Sequence, residues 1–420
     1  MDENPKVIIV GAGIAGLVAA IELEKRNIKP VVIESTESVG GRVKTDYMDG
    51  FQLDHGFQVL LTAYPEAQHY LDFEQLDLKV FDPGAVINSG GEKMLISDPL
   101  RKPGFMMKMI FSGVGSLGDK LKIWQLSNRL KKTTIANIFN KPSSTTLAYL
   151  QKTGFSQRVI DNFFKPFFRG IFLEKELETS SRMFEFVFKM FSEGFAAVPA
   201  GGMQKIPDQL HSQLKNTEIR FGQSVEAINE GSIVLGNGET ETYDSIIITA
   251  QPEKMIKGLD GQFSGHRQVT NLYFSIPKTS GAPFIELVPG DDQLVNNICV
   301  LDNVSSKYAP ANASLLSVSV IDIDEGSTED ELIQRVVNEL KPILELPETS
   351  FNHLKTYKIY NALPKVDDLQ FQMGAGETKV FDGVYLAGDY QLNGSVNSAM
   401  TSGRTAAEAV AGYISQNPVN

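Results

Sequence analysis

The amino-terminal segment combines two apolar runs with a helical pattern between them. Residues 6–10 (KVIIV) form a short apolar run that is typical of a buried strand. Residues 14–26 then carry apolar side chains at helical spacing, and residues 30–33 form a second apolar run that ends at Glu34. This order predicts strand, turn, helix and strand, which is the βαβ unit of a parallel sheet covered by helices.

Residues 85–200 have a helical pattern and are rich in phenylalanine and methionine. Eleven of the 25 phenylalanines fall within residues 155–195, and Phe184, Phe188 and Phe191 have the spacing of one helix face. Aromatic stripes at this spacing usually pack in a core, but they can also line an apolar cavity. Both interpretations stay open, and they can hold together.

Short strands return in residues 219–250, with a hairpin turn at Asn237-Gly238 and a buried strand at the end of the segment. Residues 266–374 mix strands with one helix, for which we predict Ser327 as the N-cap. The end of the chain predicts a strand, a loop and a last helix.

This pattern predicts the α/β fold class, because α/β character occurs at both ends and in the middle of the chain. The simplest arrangement is a discontinuous Rossmann-like domain that binds a cofactor, with an interleaved α+β substrate domain. We predict that the cofactor domain comprises residues 1–84, 201–265 and 375–420, and that the substrate domain comprises residues 85–200 and 266–374.

Composition narrows the classes of function. A chain of 420 residues with 42% hydrophobic residues can form about two folded domains. The net charge of −12 argues against a nucleic-acid partner. Cys299 is the single cysteine, which excludes an internal disulfide and fits a reducing compartment. The five histidines have no metal-ligand spacing.

The start of the chain lacks the basic region of a secretory signal. Its most apolar stretch, residues 7–23, is interrupted by glycines and is shorter than the roughly 20 residues that a membrane-spanning helix needs. We therefore expect a cytoplasmic protein.

The turn after the first strand, residues 11–16, reads GxGxxG. In a strand-turn-helix setting, Gly11 permits the tight turn, Gly13 lets the backbone approach a diphosphate, and Gly16 lets the helix pack closely on the strand. Glu34 closes the second strand, where a carboxylate can accept hydrogen bonds from an adenosine ribose and disfavours NADP. This unit predicts a dinucleotide but does not separate FAD from NAD.

Two further segments favour a flavin dinucleotide. Gly40-Gly41-Arg42 offers a close backbone turn and an arginine for the diphosphate, although a surface turn would look the same. Near the other end, a buried strand ends at Gly388-Asp389, and the last helix begins close behind it. The positive N-terminus of that helix would stabilise a reduced flavin anion.

Four segments together carry a family resemblance. They are residues 11–43 (GAGIAGLVAAIELEKRN…VVIEST…VGGRV), 50–67 (GFQLDHGFQVLLTAYPEA), 198–210 (VPAGGMQKIPDQL) and 384–410 (VYLAGDYQLNGSVNSAMTSGRTAAEAV). The chain resembles the superfamily of FAD-dependent amine oxidases, protoporphyrinogen oxidases and carotenoid (phytoene) desaturases, and is closer to the desaturase-like branch. The resemblance implies that the Rossmann-like domain is an FAD-binding domain.

The resemblance also implies roles for individual residues around FAD. They are Gly11, Gly13, Ala15, Gly16 and Glu34 at the ADP part, Gly41 and Arg42 at the diphosphate, Val225 at adenine, Gly388 and Asp389 at the ribityl chain, Gly56 beside the isoalloxazine ring, and Val396 at flavin O2.

The chain departs from the family pattern in two places. The desaturases have Glu-Gly where this chain has Asn397-Ser398, and amine oxidases place a ring-facing tyrosine where this chain has Ser395. The single tryptophan, Trp124, lies far from this motif. We therefore do not expect an aromatic cage for an amine here. Cys299 lies well before the Gly388-Asp389 motif, so the FAD should be non-covalent.

Catalytic residues are harder to predict, because a flavin carries the hydride chemistry itself. His55 and Gln58 flank Gly56, and His55 could accept a proton. A histidine that is simply hydrogen-bonded near the cofactor is the more common situation. Tyr357 and Tyr360 could line the substrate side or belong to the core.

Residues 101–132 combine basic and apolar side chains. They contain eight lysines and arginines and a single acid, Asp119, within a chain of net charge −12. Such a segment can dock on the inner face of an anionic membrane, or it can be a solvated basic face over a buried stripe. The two interpretations stay open.

The leading hypothesis is an FAD-dependent oxidoreductase that abstracts hydride from a small, apolar organic substrate. One alternative is an amine oxidase, which would release peroxide when given an amine. Another is a non-redox, FAD-dependent double-bond isomerase, which would turn over substrate without net electron transfer. A flavin-containing binding protein and an NAD dehydrogenase are further alternatives. We expect oxygen, a quinone or another carrier as the electron acceptor.

Overall fold

The computed structural model describes residues 5–89, 91–97, 114–259, 265–321, 326 and 328–417. Three hydrophobic clusters form its core, and the largest joins the amino-terminal helix to the phenylalanine-rich helices. In the described part of the chain, no helix is long and apolar enough to cross a membrane.

The strands in chain order are β1 (Val7–Val10), β2 (Val31–Ile33), β3 (Thr45–Met48), β4 (Phe51–Asp54), β5 (Leu60–Leu61), β6 (Leu78–Val80), β7 (Gly84–Ser89), β8 (Glu92–Ser97), β9 (Ala196–Pro199), β10 (Glu218–Arg220), β11 (Val225–Asn229), β12 (Ser232–Leu235), β13 (Thr240–Thr242), β14 (Ser245–Ile248), β15 (His266–Pro277), β16 (Ile285–Leu287), β17 (Val295–Val300), β18 (Ala313–Val320), β19 (Asn352–Pro364), β20 (Lys379–Phe381) and β21 (Val384–Leu386).

The α-helices are α1 (Ile14–Glu24), α2 (Pro65–Tyr70), α3 (Leu117–Lys132), α4 (Ile135–Phe139), α5 (Thr146–Lys152), α6 (Gln157–Val159), α7 (Lys165–Phe172), α8 (Ser181–Glu193), α9 (Lys205–Ser212), α10 (Glu329–Leu344) and α11 (Val396–Gln416). A π-helical turn, Ile160–Phe164, leads directly into α7.

A six-stranded sheet has the order β10-β2-β1-β14-β21-β20. Its first five strands are parallel, and β20 runs antiparallel at the edge. The helices α1 and α11 pack against each other beside this sheet. The parallel arrangement places the carboxyl ends of strands from three distant parts of the chain at one edge, where ligands collect in α/β folds. The predicted α/β fold class is confirmed.

A second, seven-stranded sheet has the order β19-β15-β18-β17-β16-β7-β8. One face of its centre is apolar and packs against α10, which contributes Leu332, Val336 and Leu340. Near α7, the side chain of Asn296 on β17 donates to the Pro166 carbonyl at 3.1 Å. This sheet therefore forms a wall opposite the phenylalanine-rich helices.

Part of the helical expectation for residues 85–200 is wrong. Gly84–Ser89 and Glu92–Ser97 form a hairpin that extends the seven-stranded sheet. The physical reason is a period of two, because the buried side chains of Ala85 and Ile87 alternate with less buried neighbours. The rest of the described segment is mainly helical, apart from β9.

The phenylalanine stripe fulfils both of the interpretations left open. Phe184 is completely buried and packs against Phe164 and Phe168. Phe191, on the same helix, lines a large cavity. The phenylalanine stripe therefore belongs to the hydrophobic core at one end and forms part of the cavity wall at the other.

Helix α10 begins one residue later than the predicted cap implies. Thr328 is its N-cap, and the Thr328 side chain accepts a hydrogen bond from the Glu331 N–H at 3.3 Å. Glu331 completes the capping box by accepting from the Thr328 N–H at 2.9 Å. The predicted cap, Ser327, lies outside the described residues. Both threonine and serine occur as the N-cap of this motif, so the sequence alone does not choose between adjacent positions.

Candidate functional site

The turn between β1 and α1 is shaped by its glycines. Gly11 has a φ of +100°, and its N–H donates to the Ile33 carbonyl at 2.8 Å. A Cβ on Gly16 would lie 2.0 Å from the Gly11 carbonyl oxygen, so only glycine fits there. A Cβ on Gly13 would meet nothing within 4 Å. Gly16 thus closes the helix onto the turn, whereas Gly13 faces open space at the helix N-terminus.

Glu34 is buried at the end of β2 and holds the turn from the other side. One carboxylate oxygen accepts from the Ala12 N–H at 2.7 Å. The other accepts from the Thr36 N–H at 2.9 Å and from the Thr36 hydroxyl at 2.8 Å. Each carboxylate oxygen has two lone pairs, so these bonds leave Glu34 able to accept from a ligand as well.

Arg42 and Asp389 form an ion pair between the two ends of the chain. Asp389 is buried, and its charge raises the pKa of the Arg42 guanidinium above the ordinary value. Arg42 also donates to the Ala362 carbonyl at 3.3 Å. Nearby, His266 is half-buried, and burial together with the Arg42 charge lowers its pKa. Midway along the site, the positive charge of Arg42 is therefore balanced by the negative charge of Asp389.

The start of α11 lies close to this ion pair in the chain. Ser395 is the N-cap, and its hydroxyl accepts from the Ser398 N–H at 3.0 Å. Val396 is the first helical residue, so its N–H has no partner inside the helix. Upstream, the Gly388 N–H donates to the Ser402 hydroxyl at 2.8 Å. These contacts fix the Gly388-Asp389 loop against the helix.

Helix α11 crosses α1 at very close range. A Cβ on Gly403 would lie 2.3 Å from the Ala15 carbonyl oxygen. The small residues at the crossing let the backbones of the first and last helices touch. Through this contact, the glycine turn and the start of α11 border the same space.

His55 and Gln58 serve mainly to shape the wall. Gln58 donates to the backbone carbonyls of Arg42 and His55, both at 2.8 Å. The His55 ring packs against the Tyr357 ring, with the ring centres 4.6 Å apart and the planes tilted by 34°, and its Nε2 lies 3.0 Å from Asp46 Oδ2. The Tyr357 hydroxyl donates to the same Asp46 oxygen at 2.8 Å.

Burial of the Asp46 carboxyl opposes its ionisation, but its contacts with Tyr357 and His55 prevail and lower its pKa.

The side chain of Tyr360 is 66% exposed, so the expectation that it lines a substrate site or belongs to the core is wrong.

One cavity of about 1310 Å³ connects these features. The residues predicted to contact the cofactor all line it except Gly16, which packs behind the turn, and His55 and Gln58 line it as well. Tyr357 and Tyr360 are not among the lining residues. It runs from Glu34 and Val225, past Arg42 and Asp389, into an apolar chamber between the seven-stranded sheet and helices α7 and α8. The chamber wall includes Phe167, Ile171, Met183, Val187, Ile285 and Leu287.

Some residues of this site escaped the sequence analysis. Thr249, which follows β14, donates to the Val10 carbonyl at 2.8 Å and contacts the Gly11 carbonyl at 3.1 Å. Gln223 lines the cavity, and its Oε1 is buried without a hydrogen-bond partner among the described residues. The end of a buried strand was a usable signal for Thr249, but nothing in the sequence pattern marked Gln223.

Asp54 is a buried acid next to the site that the sequence analysis also missed. Burial raises its pKa to about 6, although Thr45, the Met203 N–H and Tyr308 all donate hydrogen bonds to it. Its own backbone carbonyl accepts from the Tyr273 hydroxyl at 2.9 Å. Asp54 thus joins the β3–β4 hairpin to the elements that precede α9 and β18.

The residues present fit a dinucleotide with a ring system at one end. The open space at Gly13 would receive a diphosphate beside the N-terminus of α1. The Oε1 of Gln223, which has no hydrogen-bond partner among the described residues, and the carboxylate of Glu34 are acceptors at the end of the cavity that Val225 lines. Within the described residues, no group of three His, Cys, Asp or Glu side chains is placed to hold a metal ion.

Residues 14–411 match the family model described as flavin containing amine oxidoreductase. The chain belongs to this family. The resemblance to this superfamily is therefore confirmed, and so is the assignment to flavin-dependent oxidoreductases.

Two relatives show the breadth of this flavin amine oxidoreductase family. Protoporphyrinogen oxidase 2, chloroplastic/mitochondrial, of Arabidopsis thaliana is 24% identical over 97% of this chain and 94% of that protein. The 15-cis-phytoene desaturase, chloroplastic/chromoplastic, of Narcissus pseudonarcissus is 21% identical over 97% of this chain and 80% of that protein.

A solved structure of an oxidoreductase from Methanosarcina mazei matches with a TM-score of 0.74 and 19% identity, over 96% of this chain and 100% of that chain. At this identity the match shows the shared fold alone.

Proposed function

We propose that this protein binds FAD non-covalently and uses it to take hydride from a small, largely apolar organic substrate. The observation that carries the proposal is one continuous cavity that joins the glycine turn, the Arg42–Asp389 pair and the apolar chamber. Under this proposal, residues 1–84, 201–265 and 375–420 form the FAD-binding domain, and residues 85–200 and 266–374 form the substrate domain.

In the proposed arrangement, each predicted residue acts on one part of FAD. Glu34 and Val225 receive the adenosine, Gly13 admits the diphosphate, and Arg42 neutralises it. Asp389 accepts from the ribityl hydroxyls, and the Val396 N–H donates to flavin O2 at the positive end of α11. A bound flavin would supply the hydride acceptor.

The side chains that line the chamber indicate the class of substrate. Its walls are mainly aliphatic and aromatic side chains, which exclude water and favour an apolar ligand. His55 lines the cavity, and it contacts Asp46, whose side chain is 45% exposed. In the proposed arrangement, His55 accepts a proton that leaves the substrate. Oxygen, a quinone or another carrier would then reoxidise the flavin.

Helix α3 supports a peripheral membrane contact. Leu117, Leu121 and Trp124 lie on one helix face and are all exposed. Lys131 and Lys132 are exposed at the end of the same helix, whereas the Arg129 side chain is engaged by Glu185. Residues 101–113 of the basic segment lie outside the described residues. We propose that this face docks on an anionic bilayer.

The proposed function is tested by the absorption spectrum of the purified protein. We expect flavin absorption bands, and we expect acid precipitation of the protein to release the flavin. The only thiol, Cys299, is buried and lies far from the glycine turn in the sequence, so we do not expect a covalent bond from it to the flavin. Anaerobic bleaching with a panel of apolar compounds and amines then identifies the substrate class. A folded, colourless protein that takes up no added FAD would refute the proposal. Bleaching by amines with peroxide release would favour the amine oxidase alternative.

A further inference from the structure

A row of polar side chains crosses the face of the seven-stranded sheet that borders the apolar chamber. Asn271 on β15 lies directly opposite Ser319 on β18, and Ser319 lies opposite Asn297 on β17. Residues that are directly opposite on neighbouring strands point to the same face. All three are buried, and the next residue in the row is Leu287, an apolar member of the chamber wall.

The hydrogen bonds within the row fix the orientation of the Asn297 amide. Its oxygen accepts from the Asn296 side chain at 3.0 Å, while Asn296 also donates to the Pro166 carbonyl at 3.1 Å. Its nitrogen donates to the Ser319 hydroxyl at 3.4 Å, and Ser319 donates to the Asn271 amide oxygen at 3.1 Å. The Asn297 nitrogen must therefore sit on the Ser319 side of the amide.

An amide nitrogen carries two hydrogens, and the long contact with Ser319 uses one. Asn297 and Ser319 both line the cavity. On the helix side, a Cβ on Gly170 would come within 3.2 Å of the Asn297 oxygen. Glycine at this position keeps α7 close to the amide without covering it.

Apolar residues surround this polar spot. Ile285, Leu287 and Ile321 lie near it on the sheet side, and Phe167 and Ile171 lie on the helix side. Folding alone would favour another apolar side chain at Asn297, because a buried amide must find partners for every polar atom. A donor held in an apolar chamber selects ligands that carry an acceptor and rejects those that lack one.

We propose that Asn297, positioned by Asn296 and Ser319, is a specificity-determining residue that donates a hydrogen bond to an oxygen of the substrate. This inference rests on the proposed function and deepens it. The substrate class is an apolar skeleton with a carbonyl, hydroxyl or carboxylate oxygen, and a pure hydrocarbon is disfavoured because it would leave the donor unpaired.

The experiment compares two rigid probes, 9-fluorenone and fluorene, which have the same tricyclic skeleton and differ by one carbonyl oxygen. Each is titrated into the FAD-loaded protein, and binding is followed by the perturbation of the flavin absorption bands. We expect the ketone to bind about tenfold more tightly than the hydrocarbon, which is the effect of one net hydrogen bond.

The Asn297→Leu variant should bring this ratio close to one, by weakening ketone binding and strengthening hydrocarbon binding. Asn297→Ser keeps a small polar group that is too short to reach the ligand, and should also lose most of the preference. Leu287→Met changes the neighbouring wall residue without touching the amide, so it should keep the full ratio. Thermal unfolding of each FAD-loaded variant shows that the fold is retained.

The inference is overturned if the flavin-loaded wild type binds both probes equally, or binds neither. It is also overturned if Asn297→Leu keeps the wild-type ratio. A protein that takes up no flavin refutes the proposed function instead, so the two failures are distinguishable.

Discussion

Gly13 and Gly16 lie in one turn of the chain but meet opposite surroundings. A Cβ at position 16 would collide with the Gly11 carbonyl oxygen at 2.0 Å, whereas a Cβ at position 13 would enter open cavity. Both residues belong to the GxGxxG pattern, and the sequence assigned close packing to one and ligand approach to the other. At the scale of single residues, a requirement for folding and a requirement for binding are separable.

We expect Gly13→Ala to leave the stability of the flavin-free protein nearly unchanged and to weaken FAD binding by tenfold or more, because the methyl group would occupy the space for the diphosphate. Gly13→Trp should abolish binding. Gly16→Ala should instead destabilise the protein by roughly 1–3 kcal/mol, because the backbone must shift. Denaturant unfolding and FAD titration check both effects. The interpretation fails if Gly13→Trp binds flavin normally.

Asp54 shows what residue types alone cannot reveal. Only the fold brings Tyr308 and the Met203 N–H to this carboxyl on β4. Residues so far apart in the sequence leave no local signal of their contact. The raised pKa near 6 is therefore a property of the assembled structure.

This pKa predicts a defined pH dependence of stability. The folded pKa of about 6 lies above the unfolded value near 3.8, so folding favours the protonated carboxyl. The contribution of Asp54 is complete below about pH 4, is lost as the pH rises to about 6, and is constant above that value. The loss is at most about 3 kcal/mol.

Asp54→Asn removes this titration. The stability of the variant relative to wild type should rise between pH 4 and 6 and level off above. Urea unfolding at a series of pH values measures the difference. A difference that stays flat across this range would show that the Asp54 carboxyl does not titrate there.

At the scale of elements, the hydrophobic periodicity of the sequence predicted the secondary structure best in segments where a single helical or strand pattern dominates. The βαβ unit and the last helix were expected and are present. The sequence analysis missed the hairpin of β7 and β8. Each strand is only six residues long, and over so few residues a strand pattern is hard to tell from the helical pattern of the Phe- and Met-rich segment that follows. The crossing of α1 and α11 was also hidden, since Gly403 carries no sequence signal of its contact with Ala15.

Two glycines on α11 give a matched test of that crossing. Gly403→Ala would place a Cβ 2.3 Å from the Ala15 carbonyl oxygen and should cost roughly 1–3 kcal/mol. Gly412→Ala, where a Cβ meets nothing within 4 Å, should stabilise the protein by about 0.5–1 kcal/mol, because alanine is the better helix former. Denaturant midpoints should therefore move in opposite directions. Equal shifts would argue against a close helix crossing.

At the scale of the whole molecule, the ends of the chain meet in one cavity. The ion pair of Arg42 and Asp389 links residues 347 positions apart. The sequence predicted both residues for one cofactor, although it could not predict that they contact each other directly. The substrate chamber was less predictable still, because its walls come from helices and strands whose packing depends on long-range contacts.

Charge is also distributed unevenly over the molecule, and this gives the last prediction. The chain has a net charge of −12, yet α3 presents the exposed side chains of Leu117, Leu121 and Trp124 beside basic residues. We expect binding to vesicles that contain phosphatidylglycerol and much weaker binding to vesicles of phosphatidylcholine alone, with a loss at high salt. Trp124 is the single tryptophan, so its emission should shift to the blue when the helix enters the bilayer interface.

The double variant Leu121→Ser, Trp124→Ser should lose at least tenfold in vesicle binding measured by sedimentation, since each side chain contributes about 1 kcal/mol or more of apolar transfer. Tyr360→Ser is the matched control, because Tyr360 is a large side chain of similar or greater exposure on β19. Its removal should leave vesicle binding unchanged. If the two variants weaken binding equally, or if Trp124 emission does not move, α3 is a solvated helix without a membrane contact.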